Sequence, residues 1–151
     1  MAAEPTKCMK ELLDDNWDET NTDNHLPKVA NMEDPQDKNV KDYVNVARDD
    51  YIKIYEVGPE GRDSSGIGAA LTDRKNIIAI DIMCGISKNH AYKVKAEALK
   101  VIEDNLNAPG DNFQYIDPKI NIKPFSGTRL NRLWRWVIEV TLVQTGATLG
   151  S

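Results

Sequence analysis

Two histidines, His25 and His90, and two cysteines, Cys8 and Cys84, make up all the imidazole and thiol chemistry of the 151 residues. They lie far apart in the sequence, and no grouping has the short spacing of a zinc-binding motif. No Gly-x-Ser-x-Gly or comparable nucleophile motif is present. Asp14-Asp15 and Asp49-Asp50 lack the alternating carboxylates and turn glycine of a calcium loop. Gly66-Ile67-Gly68 lacks the Gly-Lys-Ser/Thr ending of a phosphate loop, and no helix directly follows it. The residue types therefore predict no catalytic cluster, no cofactor and no metal. His25 falls in a polar excursion. His90 falls in the first turn of a helix, where a neutral or solvated role is expected.

One basic–aromatic pattern remains. Arg129, Arg132 and Arg135 recur around Trp134 and Trp136, as on a nucleic-acid surface. Strand alternation puts both tryptophans on the core face and Arg135 on the other, so rings and cations do not share one accessible face. The arginines are instead expected to meet carboxylates, for example those of an acidic arm in a neighbouring copy.

The element that organises the rest spans residues 76–106. Ile78, Ile80, Ile82 and Cys84 alternate along one face of a β-branched strand, with Ala79 and Asp81 on the other. Gly85 ends the strand and Ser87 is placed to cap a helix over residues 91–106. That helix puts Ala91, Val94, Ala98, Val101 and Leu106 on one stripe, widened by Leu99 and Ile102. The strongest alternation lies in residues 133–144, where Trp134, Trp136, Ile138, Val140 and Leu142 share a face. Residues 51–57 form a third strand, with Ile52 and Ile54 opposite Tyr51, Lys53, Tyr55 and Val57. A fourth is expected within residues 113–122, bent at Asp117-Pro118, followed by a turn over residues 123–131.

Before these, residues 7–17 have the apolar spacing of a short helix through Cys8, Met9, Leu12, Leu13 and Trp17. Residues 18–40 read as an extended acidic excursion anchored by Leu26, Val29 and Met32. Residues 58–73 read as a second long loop, and residues 145–151 as a frayed polar tail. The whole is one α+β domain: a mostly antiparallel sheet with one principal helix on one face, a short N-terminal helix and an acidic arm. Residues 1–42 hold helix and arm, 43–144 the core and 145–151 the tail.

Net charge is −5, and the surplus acid lies in the first fifty residues. This disfavours simple electrostatic binding of DNA. Buried free thiols, an intracellular setting and the absence of a membrane span are expected. Both sheet faces carry apolar positions but only one principal helix is expected to cover them, so an uncovered face needs a partner.

The stretches Ile-Ile-Ala-Ile-Asp-Ile-Met-Cys-Gly, then Ser-Lys-Asn-His-Ala-Tyr-Lys-Val-Lys-Ala-Glu-Ala-Leu-Lys-Val-Ile-Glu, then Leu-Trp-Arg-Trp-Val-Ile-Glu-Val-Thr-Leu-Val carry a resemblance. In their order, with the long loop ahead of them, residues 51–144 resemble the tail-terminator (tail-completion or neck) proteins of long-tailed bacterial and archaeal viruses. The resemblance implies a structural virion protein rather than an enzyme. It implies a homo-oligomeric ring, commonly hexameric, that caps the tail tube and joins tail to head. Its partners would be the tail tube protein and a head-completion or adaptor protein, with genomic DNA only as passing cargo and no membrane. It would reside in the virion neck after assembly in the host cytoplasm. Subunit or tube contacts are expected at Arg62, Ile67, Gly68 and Leu71 in the long loop, at Arg74 and Lys75 at its exit, at Arg129 and Arg132, and at Trp17 as a docking anchor. Kinship with tail-tube and head-joining proteins leaves the station in the neck open. Two other classes stand beside it: a ferredoxin-like nucleic-acid-binding module using residues 129–136, and a small enzyme with an intersubunit site using Asp81, His90 or Glu139.

Overall fold

The computed structural model describes residues 4–57, 61–64, 71–110, 113–125 and 133–148. Its elements are α1 (Pro5–Asn16), a single turn of 3-10 helix (Glu19–Thr22), β1 (Lys28–Asn31), α2 (Lys38–Lys41), β2 (Tyr51–Glu56), β3 (Gly61–Ser64), β4 (Leu71–Cys84), α3 (Lys88–Asp104), β5 (Tyr115–Ile116), β6 (Asn121–Phe125) and β7 (Trp134–Thr148). They make an α+β fold around one seven-stranded sheet, ordered β1-β2-β4-β7-β5, with β3 on β4 and β6 on β7. Every described pairing is antiparallel except β1 with β2, which is parallel.

The alternation read from the sequence sets the register. Ile52 lies opposite Ile82 and Ile54 opposite Ile80, while Ile80 lies opposite Ile138 and Ile82 opposite Trp136. This puts Ile52, Ile54, Ile80, Ile82, Trp136 and Ile138 on one face. The stripes of α1 (Met9, Leu13) and α3 (Val94, Ala98, Val101, Ile102) close over that face. The isoleucines at 52, 54, 78, 80, 82 and 138 are fully buried, and each such side chain contributes about 1.5–3 kcal/mol of apolar transfer free energy. Ser87 caps α3 as expected, accepting from the His90 amide at 3.1 Å. Both cysteines are buried and no disulfide joins them. At Gly85 a Cβ would sit 2.6 Å from the Val46 carbonyl oxygen, so only glycine lets the loop before β2 lie against the end of β4.

Several expectations are corrected. Residues 18–40 are not an unstructured excursion, since they contain the 3-10 turn, β1 and α2. Of its three expected anchors only Val29 is buried, with Leu26 61% and Met32 38% exposed. Polar contacts hold the segment instead. Residues 61–64 and 71–73, placed in the long loop, pair as β3 and the start of β4. Residues 123–125, expected in a turn, belong to β6, where Pro124 is tolerated because β6 pairs with β7 at a sheet edge. Residues 145–148 extend β7 rather than fraying. Helix α1 docks on the core, where Met9 and Leu13 have no exposed surface.

Candidate functional site

Two regions gather side chains that could act. The first is the sheet face away from α1 and α3. Tyr51, Lys53 and Tyr55 of β2 stand across from Met83, Asp81 and Ala79 of β4, and Arg135, Val137 and Glu139 of β7 complete the row. Asp81, 2% exposed, accepts two hydrogen bonds from the Arg135 guanidinium, at 2.8 and 2.6 Å, and one from the Tyr55 hydroxyl at 3.3 Å. The hydrogen bond to Asp81 holds the Arg135 pKa above its ordinary value. Burial first, and then the Asp81 charge, push the Tyr55 phenol up. Lys123 meets Glu139 at 3.1 Å. Among the described residues both long helices pack on the other face, and α2 meets this one at its β1 corner, where the Tyr51 hydroxyl donates to the Asn39 carbonyl at 2.8 Å. Among the described residues the face thus pairs opposite charges beside aromatic stems, with Tyr51, Lys53, Tyr55, Met83 and Arg135 half-buried and Ala79, Asp81 and Val137 buried.

The second region lies where β1 and β2 begin, β4 ends and α3 starts. His90 is buried in the first turn of α3. Its Nδ1 lies 2.9 Å from Asp23 Oδ2 and its Nε2 2.6 Å from Asp50 Oδ2. Asp23 in turn accepts from Lys93 at 2.7 Å. The expectation of a neutral or solvated His90 is corrected by this placement. Burial disfavours the charged ring, but hydrogen bonds and charge from Asp23 and Asp50 outweigh that and raise its pKa. Hydrogen bonds from Lys93 and then His90 lower that of Asp23. His25 stands edge-on to His90, ring centroids 5.5 Å apart, with its Nδ1 3.4 Å from Asp50 Oδ2. Burial, then the Asp50 charge and a contact to that carboxylate, push the Cys84 thiol well up, keeping it protonated.

Local structure delivers each of these groups. Asp23 and Asn24 both have positive φ, 55° and 59°, a left-handed pair that short polar side chains tolerate; it turns the chain after the 3-10 turn. Glu97, one helical face along from His90 and Lys93, accepts from the Asp18 amide at 3.0 Å and Asn21 Nδ2 at 2.8 Å. Three residues of α3 thereby clamp residues 18–23. Asp50 is fixed because its carbonyl accepts from the Lys28 amide at 2.8 Å at the start of β1.

No protein-family model matches the chain, and no curated protein matches it.

The residues expected at contacts are scattered. Trp17 caps α1 and donates from Nε1 to Thr22 Oγ1 at 3.1 Å, so it docks its own helix within the chain. Arg74 is 7% exposed, its guanidinium 5.9 Å from the Phe113 ring centre; this burial removes it as a surface contact. Lys75 is half-buried. Arg62 and Leu71 lie opposite Arg74 and Thr148 in the β3–β4–β7 ribbon. Ile67, Gly68, Arg129 and Arg132 lie outside the described residues. Trp136 is 6% exposed and packs edge-on against Tyr92, with Lys95 5.1 Å from its ring centre; it offers no free stacking surface. Asp81 and Glu139 sit on the open face while His90 sits at the covered end of the sheet, so the three do not converge on one site. The His25–Asp50–His90 grouping was not foreseen, because its members are separated in sequence. A signal for part of it did exist: His90 and Glu97 fall on the same helical stripe as Val94, Ala98 and Val101, which marks them as buried polar groups.

Proposed function

We propose that the chain is a structural, self-assembling protein, a ring-forming tail-terminator or neck component of a tailed virus, in line with the resemblance of residues 51–144. The observation that carries the reading is the one-sided covering of the sheet. Both long helices pack on the same face, and the opposite face presents Tyr51, Lys53, Tyr55, Met83 and Arg135. A mixed aromatic and charge-paired surface of this kind fits a second copy of the chain, where alternate charges set register and ring stems bury area. The β3–β4–β7 ribbon, continuing beyond the end of β2, gives each copy an arm to lay on its neighbour. In this reading the six-fold ring, tail tube and head-side partners follow from the resemblance, and DNA passes through without being gripped, since the chain is net acidic.

Light scattering across concentration on the purified chain tests this. A discrete oligomer is expected, and Met83→Glu on the open face is expected to return it to monomer with an unchanged melting profile. A strict monomer at all concentrations that is also retained on DNA at low salt refutes the reading and favours the nucleic-acid module.

A further inference from the structure

The grouping of His25, Asp50 and His90 has more acceptors than protons. One ligand atom from each lies within 4.8 Å of the other two. A single proton bridges His90 Nε2 and Asp50 Oδ2 at 2.6 Å. It satisfies that pair alone. Asp50 is fully buried, and its second oxygen, Oδ1, has no hydrogen-bond partner; His25 Nδ1 is also buried without one. A desolvated carboxylate oxygen left unpaired is costly, and a buried imidazole nitrogen beside it repeats the cost. One cation placed between the three would satisfy all of them together.

We propose that His25 Nδ1, His90 Nε2 and the Asp50 carboxylate form a binding site for a zinc-type divalent ion, which staples the segment before β1 and the start of β2 to the first turn of α3. The geometry is close to what such an ion requires. Donors about 2.0–2.1 Å from a tetrahedral metal stand about 3.3 Å from one another. His25 Nδ1 and Asp50 Oδ2 are already 3.4 Å apart. The His90–Asp50 contact has to open by several tenths of an ångström as the bridging proton leaves to solvent and the metal takes its place.

The surroundings supply the outer layer that metal-binding histidines ordinarily have. The far nitrogen of His90, Nδ1, is held at 2.9 Å by Asp23, and Asp23 by Lys93 at 2.7 Å. This carboxylate–histidine arrangement fixes the ring orientation and raises its basicity toward the ion. Two imidazoles and one carboxylate, with the Cys84 thiol beside that carboxylate, make a nitrogen-rich donor set. It suits zinc and disfavours magnesium or calcium, which take oxygen donors. Sequence spacing predicted no metal site because the ligands come from three segments that only the fold brings together.

The test uses the full chain without an affinity tag, stripped with a chelator and titrated with Zn²⁺ by calorimetry and with Co²⁺ by visible absorption. One Zn²⁺ per chain and the intense visible bands of tetrahedral Co²⁺ are expected, with Mg²⁺ giving neither. His25→Ala is the variant of choice, since its side chain is 39% exposed and its loss leaves the core intact; it is expected to abolish the one-to-one isotherm. Asp23→Asn, a positioning change, is expected to weaken binding about 10- to 100-fold while keeping the Co²⁺ spectrum. Absence of a saturable Zn²⁺ isotherm in the unaltered chain overturns the proposal. So does an isotherm that both His25→Ala and Asp23→Asn leave unchanged.

Discussion

Replacing Arg135 by alanine removes both guanidinium hydrogen bonds, 2.8 and 2.6 Å, from the buried Asp81 carboxylate and leaves it the Tyr55 hydroxyl at 3.3 Å. Breaking a fully buried ion pair in this way costs about 3–5 kcal/mol. Two features lower that figure. The Arg135 side chain is 37% exposed, so water follows into the space it vacates, and Lys53 lies directly opposite Asp81 on β2, where it can lean toward the charge. The expected loss is therefore about 1.5–3 kcal/mol, the range for hydrogen bonds to a charged group. In a chain of this length that is about 3–12 °C of melting temperature. Asp81→Ala removes the acceptor from a side chain that is already 37% exposed and is expected to cost less. The double variant strands neither charge, so its cost should fall short of the sum of the singles by about 1–2 kcal/mol. Urea denaturation of the four proteins at neutral pH measures this coupling. Additivity to within about 0.5 kcal/mol would refute the claim that the pair acts as a unit.

Three further outcomes are expected. At Asp37, burial pushes the carboxyl up, but hydrogen bonds from Lys10 and from the Asn31 and Asn39 amides outweigh it, and the pKa lies below the ordinary value of 3.8. A depressed carboxyl contributes stability above its unfolded value and loses it as pH falls through the folded one, so Asp37→Asn should destabilise at pH 7 and converge with the parent only in acid, once the pH has fallen through the lowered folded value; denaturant midpoints across an acid series check this. Gly85→Ala forces a Cβ against the Val46 carbonyl and should cost about 1–3 kcal/mol by overpacking, read as a lower melting temperature. Ser87→Ala removes the cap on the His90 amide and should cost about 1 kcal/mol, measured by the same denaturation series.

The parts of the fold legible in the sequence are those whose burial is one-sided and continuous. Strands β4 and β7 and helix α3 each repeat one apolar face over many turns or pleats, so their type and register follow from periodicity. Short elements escape that test. Strand β1 has only Val29 and Ala30 as apolar residues, and it exists because β2 offers it a parallel edge. Strand β6 carries Pro124, which reads as a turn until β7 supplies the other half of the ladder. Strand β3 is Gly-Arg-Asp-Ser, indistinguishable from loop without its partner in β4. The buried polar cluster was hidden for a related reason. Its logic is tertiary: Asp50, His25 and His90 become partners only when the starts of β1, β2 and α3 meet. The open face was partly legible, because Tyr51, Lys53 and Tyr55 alternate against Ile52 and Ile54.

The placement of α1 bears on the order in which the molecule can close. The helix is made before every element it packs against, yet Met9 and Leu13 have no exposed surface in the finished protein, and the Cys8 thiol reaches the Pro109 carbonyl 101 positions away. The elements that α1 packs against are β1, β2, β4 and α3, with Pro109 and Gly110 just beyond. During synthesis, then, α1 must wait, its apolar stripe unshielded, until α3 and the residues just after it have emerged. Because the sheet's inner strand β4 is flanked on one side by β7, which is made after α3, closure should come as one late event rather than by stepwise addition, and nascent chains halted before β7 should be the ones that chaperones hold.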